Sequence, residues 1–199
     1  MTKKRKIVIY GGSFNPPHIG HATNVETILR LFKCDEIWVM PSANRTDKLN
    51  LAPSEHRFRM LKIMANELFP KSRLPIKISR MEIKRPKLTE TLETYRELIR
   101  EYPDAYFYFL LGSDLLSDIE EKWVNGKEIY NTLHFLIILK PGTPLPHKLP
   151  KHLTTLRNEL IWPTLSSTLV RGLIKKGHTP LPYVTRKVAD YIKKHRLYT

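Results

Sequence analysis

His18 and His21 have the clearest chemical potential in this sequence. They are three residues apart, so they would share one face of the first turn of a helix. The apolar run from Ile7 to Tyr10 is typical of a buried strand, and Gly11 and Gly12 end it. A strand, a glycine turn and a helix start predict half of a βαβ unit, where helix amides and the helix dipole favour a phosphate. We therefore expect His18 and His21 to face a bound phosphate.

Two other roles are open to this histidine pair, which could cap the helix or bind a structural zinc ion. The chain has one cysteine, Cys34, and no second HxxH or CxxC pair, which argues against a closed zinc site. The glycines also form neither GxGxxG nor GxxxxGK[ST]. We therefore prefer phosphate binding and expect no metal ion held by protein side chains alone.

A second cluster with chemical potential is SSTLVR, from Ser166 to Arg171. Small hydroxyl residues at a helix start leave backbone N–H groups accessible to an anion. Arg171, one turn further on, offers a rigid two-pronged donor to the same anion. Taken alone, the cluster is better explained as a serine-rich helix cap followed by an exposed arginine, which is the commoner occurrence of such a pattern.

The composition limits the class of protein. A chain of 199 residues suits one domain, spanning 1–199, with a substantial core. Its hydrophobic content is 41%, no apolar run reaches transmembrane length, and the first residues lack a signal-peptide core. A single cysteine excludes an intramolecular disulfide, so a cytoplasmic location is the default expectation. The formal net charge of +15 favours anionic partners such as nucleotides, nucleic acid or an acidic membrane surface, although a solvated basic face would also explain it.

Predicted strands and helices alternate along the chain. This alternation predicts an α/β fold, a Rossmann-like doubly wound parallel sheet of five to six strands with helices on both faces. Loops 42–53 and 112–114 should lie at the carboxyl edge of the sheet, where such folds bind ligands. The predicted strands are 7–10, 36–40, 76–79, 105–111, 135–139 and a last short one at 161–162. The predicted helices begin near Ile19, after an N-cap at Ser54, near Leu92, at Ser166 and near Val184.

The two chemical clusters together resemble the signatures of a known superfamily. GGSFNPPHIGH, residues 11–21, resembles the [ST]-F-x-P-x-H-x-G-H signature of the nucleotidyltransferases, which transfer AMP or CMP to a phosphate. SSTLVR resembles their second signature, [IV]-S-S-[ST]-x-[IV]-R, with Leu165 at the first position. Over nearly its whole length the chain is most similar to the nicotinate or nicotinamide mononucleotide adenylyltransferases of NAD biosynthesis. Further similarities are Arg57, Met60 and Leu61, the segment Thr91–Thr94, FLLGSDLL around Gly112, and Trp123.

This resemblance implies transfer of AMP from ATP to nicotinate (or nicotinamide) mononucleotide, with release of pyrophosphate and with Mg²⁺ carried by ATP. It implies catalytic roles for His18, His21 and Arg171. The implied ATP-binding residues are Gly11, Gly12, Ser13, Phe14, His18, His21, Ser166, Ser167, Thr168 and Arg171. The implied mononucleotide-binding residues are Lys48, Thr91, Thr94, Gly112, Asp114 and Trp123, with Thr89 and Thr91 as an alternative register.

Several positions depart from the family pattern or have a second interpretation. Asn15 stands where bacterial members usually have aspartate, and Lys140 where an arginine commonly precedes Pro-Gly. In the loop that usually reads Pro-Pro-His-Lys, only Lys48 matches. Asp114 could instead cap a helix, and Trp123 could be a core residue.

Two other functions remain open at the level of sequence. One is the same chemistry on another substrate, such as phosphopantetheine or a polyol phosphate. The other is a basic nucleic-acid-binding module, because residues 171–199 hold eight lysines and arginines against one aspartate. No interleaved aromatic pattern or nucleic-acid motif accompanies that charge, so we expect neither nucleic-acid nor membrane partners. The sequence leaves open a homo-oligomeric state and the choice between the acid and the amide substrate.

Overall fold

Six parallel strands form one sheet in the order β3-β2-β1-β4-β5-β6. The computed structural model describes residues 4–43, 50–85, 90–140, 142–157 and 165–199. The strands are β1 Arg5–Gly12, β2 Glu36–Pro41, β3 Ile76–Ile78, β4 Ala105–Gly112, β5 His134–Ile138 and β6 His152–Leu156. The strand order reverses between β1 and β4, which makes the sheet doubly wound.

Helices cover both faces of this sheet. One face carries α1 Ile19–Leu31, α2 Ser54–Leu68, α6 Ser167–Lys175 and α7 Arg186–Lys194. The other carries α3 Thr91–Glu101, α4 Leu116–Lys122 and α5 Gly126–Thr132, with a 3₁₀ turn at Ser113–Leu115 before α4. The α/β fold predicted from the sequence is confirmed. Among the described residues, no helix is long and apolar enough to cross a membrane.

The two-sided burial of the sheet explains the apolar run of β1. Val8 and Tyr10 belong to the core under α1, α2, α6 and α7, whereas Ile7 and Ile9 belong to the core under α3, α4 and α5. Because successive side chains of a strand point to opposite faces, a strand that is covered on both faces is apolar throughout.

The carboxyl ends of β1, β2 and β4 meet at the point where the strand order reverses. Gly12 lies opposite Pro41, and β1 also pairs with β4 through Ile9 and Phe109. The segments that follow these strands therefore converge at one edge, which is where open α/β sheets bind ligands.

The structure differs from the sequence prediction in several elements. β6 was not predicted, because its sequence HLTTL is short and follows a proline-containing segment. The short α5 was also missed; a Cβ on Gly126 would lie 2.0 Å from the carbonyl oxygen of Ile119, so only glycine lets the chain turn so close to α4. Pro53, not Ser54, is the N-cap of α2, and the last helix begins at Arg186. The predicted strand at 161–162 lies outside the described residues.

Candidate active site

The loop from Ser13 to His18 connects β1 to α1 and forms the centre of the candidate site. Phe14 has a φ of 49°, a strained value for a bulky residue. Burial of its ring offsets this strain, because the ring makes edge-to-face contacts with Tyr10 at 5.3 Å and with His21 at 4.8 Å between centroids. The loop therefore turns sharply and directs the chain into α1.

His18 and His21 lie together at the start of α1, as their spacing predicts. Their rings stack with centroids 3.7 Å apart, and the backbone N–H of His18 donates to Nδ1 of His21 at 3.0 Å. A Cβ on Gly20 would lie 3.1 Å from the ring of His18, so the glycine between the two histidines allows that ring to pack on the helix.

Both histidines are neutral at physiological pH. Burial lowers the pKa of His18 to about 4. Burial and the neighbouring His18 lower the pKa of His21 well below 6.5. Because Nδ1 of His21 accepts a hydrogen bond, the proton of the neutral ring is on Nε2. His21 therefore presents a fixed Nε2–H donor without carrying a full charge.

The start of α1 is not a simple row of free amides, although the sequence suggested one. The amide of His18 is bound to His21, and the amide of Ile19 donates to the carbonyl of Tyr183 at 2.8 Å. Recognition of an anion here must therefore rely strongly on side chains.

Arg57 is a buried residue that binds the loop after β1 through hydrogen bonds. The sequence analysis noted it only as part of a family pattern. Its side chain is fully buried, and its guanidinium donates to four backbone carbonyls. These carbonyls belong to Ser13 in the loop, to Ser42 and Ala43 after β2, and to Ala52 before α2. Arg57 thus connects the segments that follow two neighbouring strands.

Asn15 is the second internal connector of the loop. It is 3% exposed, its Nδ2 donates to the carbonyl of Asn50 at 3.0 Å, and its Oδ1 accepts from the amide of Ala52 at 2.9 Å. An aspartate could not donate to Asn50, so this contact explains how asparagine is accommodated at position 15.

The SSTLVR segment meets the same loop, 151 to 156 residues away in sequence. Ser166 is the N-cap of α6, and its Oγ accepts from the amide of Leu169. The hydroxyl of Ser167 donates to the carbonyl of Pro16 at 2.9 Å. Arg171 donates from Nη1 to the carbonyl of Asn15 at 2.9 Å and from Nη2 to Thr168 Oγ1 at 3.2 Å. The two sequence clusters therefore form one continuous surface.

At the end of β4, Asp114 forms an ion pair with Lys140. Lys140 Nζ lies 2.7 Å from Asp114 Oδ2, and the amide of Lys140 donates to Ser113 Oγ at 3.0 Å. A Cβ on Gly112 would lie 2.4 Å from Asp114 Oδ1, so glycine at this position makes room for the pair. Asp114 lies within the 3₁₀ turn, not at its N-cap, which is Gly112.

Three further predicted residues, Thr91, Thr94 and Trp123, lie across the sheet from α1, on the side of α3 and α4. Thr91 is the first residue of α3 and is partly exposed. Thr94 is 1% exposed; its hydroxyl accepts from Arg85 and donates to Glu82, each at 3.0 Å. Trp123 ends α4 and packs partly buried against the core of that face. Lys48 and Thr89 lie outside the described residues.

The described part of the site is rich in neutral and cationic donors. The described residues contain no group of three or more His, Cys, Asp or Glu side chains arranged to hold a metal ion. The loop leads into the neutral histidine pair and binds the guanidinium of Arg171 through the carbonyl of Asn15, whereas Asp114 supplies one acidic group at the neighbouring strand end. Such an arrangement suits the binding of phosphate oxygens with a ribose beside them.

Comparisons with known proteins identify the family of the chain. Residues 9–173 match the cytidylyltransferase-like family. A relative in Bacillus licheniformis, named "probable nicotinate-nucleotide adenylyltransferase", is 32% identical, and the match covers 98% of each chain. A relative of the same name in Synechococcus sp. is also 32% identical, again over 98% of each chain. The solved structure of a Plasmodium falciparum nicotinic acid mononucleotide adenylyltransferase complexed with NaAD is 29% identical, with a TM-score of 0.84 over 98% of this chain and 97% of that one. As its two signatures predict, the chain belongs to the cytidylyltransferase-like family and is a nucleotidyltransferase of the nicotinate-nucleotide adenylyltransferase group.

Proposed function

We propose that this protein transfers AMP from ATP to nicotinate mononucleotide in NAD biosynthesis, releasing pyrophosphate. The observation that carries the proposal is that one loop, the loop after β1, leads into the neutral His18–His21 pair and also binds Arg171 through the carbonyl of Asn15. The names of the relatives and the NaAD complex of the Plasmodium enzyme support the choice of substrate.

The reaction requires no protein nucleophile. An oxygen of the mononucleotide 5′-phosphate attacks the α-phosphorus of ATP in line, and the bond from that phosphorus to the bridging oxygen breaks. Pyrophosphate leaves with the electron pair of that bond. The protein has to align the two substrates and stabilise the charge that moves toward the leaving group.

In this proposal the histidines are donors to the reacting phosphates. His21 donates through Nε2–H, because its Nδ1 is occupied by the amide of His18. His18 stacks on it and contacts the neighbouring phosphate. Neutral donors that strengthen their hydrogen bonds as negative charge develops favour the transition state over the bound substrate.

Arg171 and the start of α6 hold the leaving pyrophosphate. The contacts to Asn15 and Thr168 fix the guanidinium plane of Arg171, and a fixed fork can bind two phosphate oxygens at once. Ser166, Ser167 and Thr168 line the same side. The proposed ATP site is completed by the segment from Gly11 to Phe14. Gly11 and Gly12 have no side chains, so the backbone at the end of β1 can approach a phosphate closely.

The mononucleotide lies, in this proposal, beside the end of β4. Asp114 accepts from a ribose hydroxyl through Oδ1, the oxygen that Lys140 does not bind, and Gly112 leaves room for this carboxylate beside the strand end. Trp123 stacks on the pyridine ring, and Thr91 and Lys48 contribute polar contacts. Thr94 contacts the ligand only if its bonds to Arg85 and Glu82 open, so we assign it mainly to holding α3 in place.

Mg²⁺ enters, in this proposal, together with ATP. The described side chains around the loop are neutral or cationic donors, which fit the phosphate oxygens of the magnesium complex. Bound Mg²⁺ would neutralise part of the phosphate charge, and phosphate oxygens and water, with few protein side chains, would hold it.

The decisive experiment measures pyrophosphate release from ATP with one acceptor at a time. The acceptors are nicotinate mononucleotide, nicotinamide mononucleotide and phosphopantetheine, and CTP replaces ATP in a parallel series. We expect the highest kcat/KM with ATP and nicotinate mononucleotide, and formation of the dinucleotide in equal amount to pyrophosphate. A higher kcat/KM with another acceptor, or with CTP, would overturn the proposed substrate pair.

A further inference from the structure

Tyr198, at the far end of the chain, makes a direct contact with the loop that carries the histidines. Its hydroxyl donates to Asn15 Oδ1 at 2.9 Å, across 183 residues of sequence. The ring of Tyr198 packs against the core under α1 and α2. This contact belongs neither to the two sequence signatures nor to the predicted site residues.

Asn15 is hydrogen-bonded to both Tyr198 and Arg171, through its side chain and its backbone carbonyl respectively. While its side chain binds Tyr198 and the Asn50–Ala52 segment, its backbone carbonyl accepts from Arg171 Nη1 at 2.9 Å. The side chain and the carbonyl of one residue therefore link Tyr198 to the guanidinium of Arg171. A single residue, Asn15, therefore stands between Tyr198 and Arg171, the proposed donor to pyrophosphate.

The phenol of Tyr198 is a permanent donor in this position. Burial raises the pKa of Tyr198 above its ordinary value, although the nearby guanidiniums of Arg57 and Arg171 act in the opposite direction. The hydroxyl therefore stays protonated at physiological pH. Asn15 Oδ1 receives two hydrogen bonds, from Tyr198 and from the amide of Ala52, which leave the side chain one orientation.

We propose that Tyr198 is a positioning residue for AMP transfer, which acts through Asn15 to align Arg171 and the loop from Ser13 to His18 with the triphosphate of ATP. This inference rests on the proposed function. Its geometric basis is the chain of two hydrogen bonds, from Tyr198 to the Asn15 side chain and from the Asn15 carbonyl to Arg171.

The variant Tyr198→Phe tests this role because it removes only the hydroxyl and keeps the ring in the core. We expect kcat to fall about threefold to tenfold, as the loss of one positioning hydrogen bond predicts. The affinity for inorganic pyrophosphate, measured by calorimetry, should fall by a similar factor. KM for nicotinate mononucleotide should stay within about twofold of wild type, because Tyr198 does not contact the end of β4.

Tyr191→Phe is the matched control. Tyr191 lies on α7, and its hydroxyl makes partly buried side-chain contacts with Nδ1 of His56, at 2.9 Å, and with Arg59. Neither partner belongs to the loop. A purely structural role for Tyr198 predicts the same small loss of thermal stability in both variants and unchanged kcat well below the melting temperature. Equal kcat and equal pyrophosphate affinity in the two variants would overturn the inference.

A double-mutant cycle of Tyr198→Phe and Asn15→Ala tests whether Tyr198 acts on Arg171 through Asn15. If Tyr198 acts through Asn15, Tyr198→Phe should lower kcat in the wild-type background but not in Asn15→Ala. Independent, multiplicative effects would contradict the role of Asn15. If the wild type transfers no AMP to nicotinate mononucleotide, the proposed function fails, whereas the pyrophosphate affinities still decide whether Tyr198 positions an anion site.

Discussion

At the scale of single residues, the chemistry of the site depends on which side-chain atoms already form hydrogen bonds within the protein and which are left for a ligand. His21 has its Nδ1 bound by the amide of His18, so only Nε2 can serve a ligand. Both rings are held neutral by burial. A neutral donor can strengthen its hydrogen bond as charge develops without binding the ground state equally tightly.

Two substitutions at position 21 separate catalysis from folding. His21→Asn keeps an oxygen that can accept from the amide of His18 but has no donor where Nε2–H lies, whereas His21→Ala loses both groups. We expect kcat to fall roughly 10²- to 10³-fold in both variants, as for a lost oxyanion donor, with a smaller loss of stability in the asparagine variant. Steady-state kinetics and thermal unfolding measure the two effects. Near-wild-type kcat in either folded variant would contradict the assigned role.

The histidine pair also predicts how stability depends on pH. Burial sets the pKa of His18 at about 4, below the unfolded value of 6.5, so the unfolded chain binds more protons between these pH values. The free energy of unfolding should therefore fall as pH drops from 7 toward 4, with about 3 kcal/mol due to His18. Urea unfolding at pH 7 and pH 4.5 measures this loss. His18→Gln should show a weaker pH dependence, whereas His147→Gln, at an exposed position, should match the wild type.

At the scale of elements, the site depends on buried connectors between segments that are distant in sequence. Arg57 on α2 binds carbonyls of the segments after β1 and β2. Ser167 and Arg171 on α6 bind two carbonyls of the loop between β1 and α1. The donors of two helices thus determine the path of a loop whose own residues do not make a regular element.

Replacing Arg57 tests this connection. Arg57→Met fills much of the same volume but removes every hydrogen bond to four buried or partly buried carbonyls. We expect the free energy of unfolding to fall by about 3–5 kcal/mol. Arg59→Met, two residues along α2, removes an exposed ion pair with Glu55 and should cost less than about 1 kcal/mol. Denaturant titration compares the two, and equal costs would show that the carbonyls find other partners.

At the scale of the whole molecule, the sheet separates the two proposed substrate sites. The histidines and Arg171 lie on elements of one face, whereas Trp123 packs with the core of the other face. In the proposed arrangement the two sites meet where β1 and β4 end side by side. The formal net charge of +15 favours the approach of anionic molecules to the protein as a whole.

This separation predicts a split in the kinetic constants. Trp123→Ala should raise KM for nicotinate mononucleotide about tenfold, the value of a lost stacking contact, and leave KM for ATP within about twofold. Val124→Ala, at the exposed neighbouring position, is the control and should change neither constant. If both constants rise equally, or neither changes, Trp123 is a core residue only and the pyridine ring binds elsewhere.

The sequence by itself determined the features that arise from short stretches of chain. The apolar runs and their alternation with helical patterns predicted the doubly wound sheet, since each strand carries its own burial pattern. The spacing of His18 and His21 predicted that they lie together at the start of α1, whereas the stacking of their rings is visible only in the structure. The N-cap at Ser166 was likewise visible in the local pattern. β6 was missed because HLTTL has no apolar run and buries little of its surface, unlike the equally short β5. α5 was missed because seven residues carry too little helical periodicity.

Only the tertiary structure decided which distant residues hold the site together. Asn15 meets Tyr198 across 183 residues, and Arg57 binds carbonyls from three separate segments. Asp114 pairs with Lys140 because β4 and β5 are neighbours in the sheet. No local pattern contains these contacts, since a backbone carbonyl has the same chemistry at every position. Their partners are chosen by strand order and helix packing, which the complete fold alone specifies.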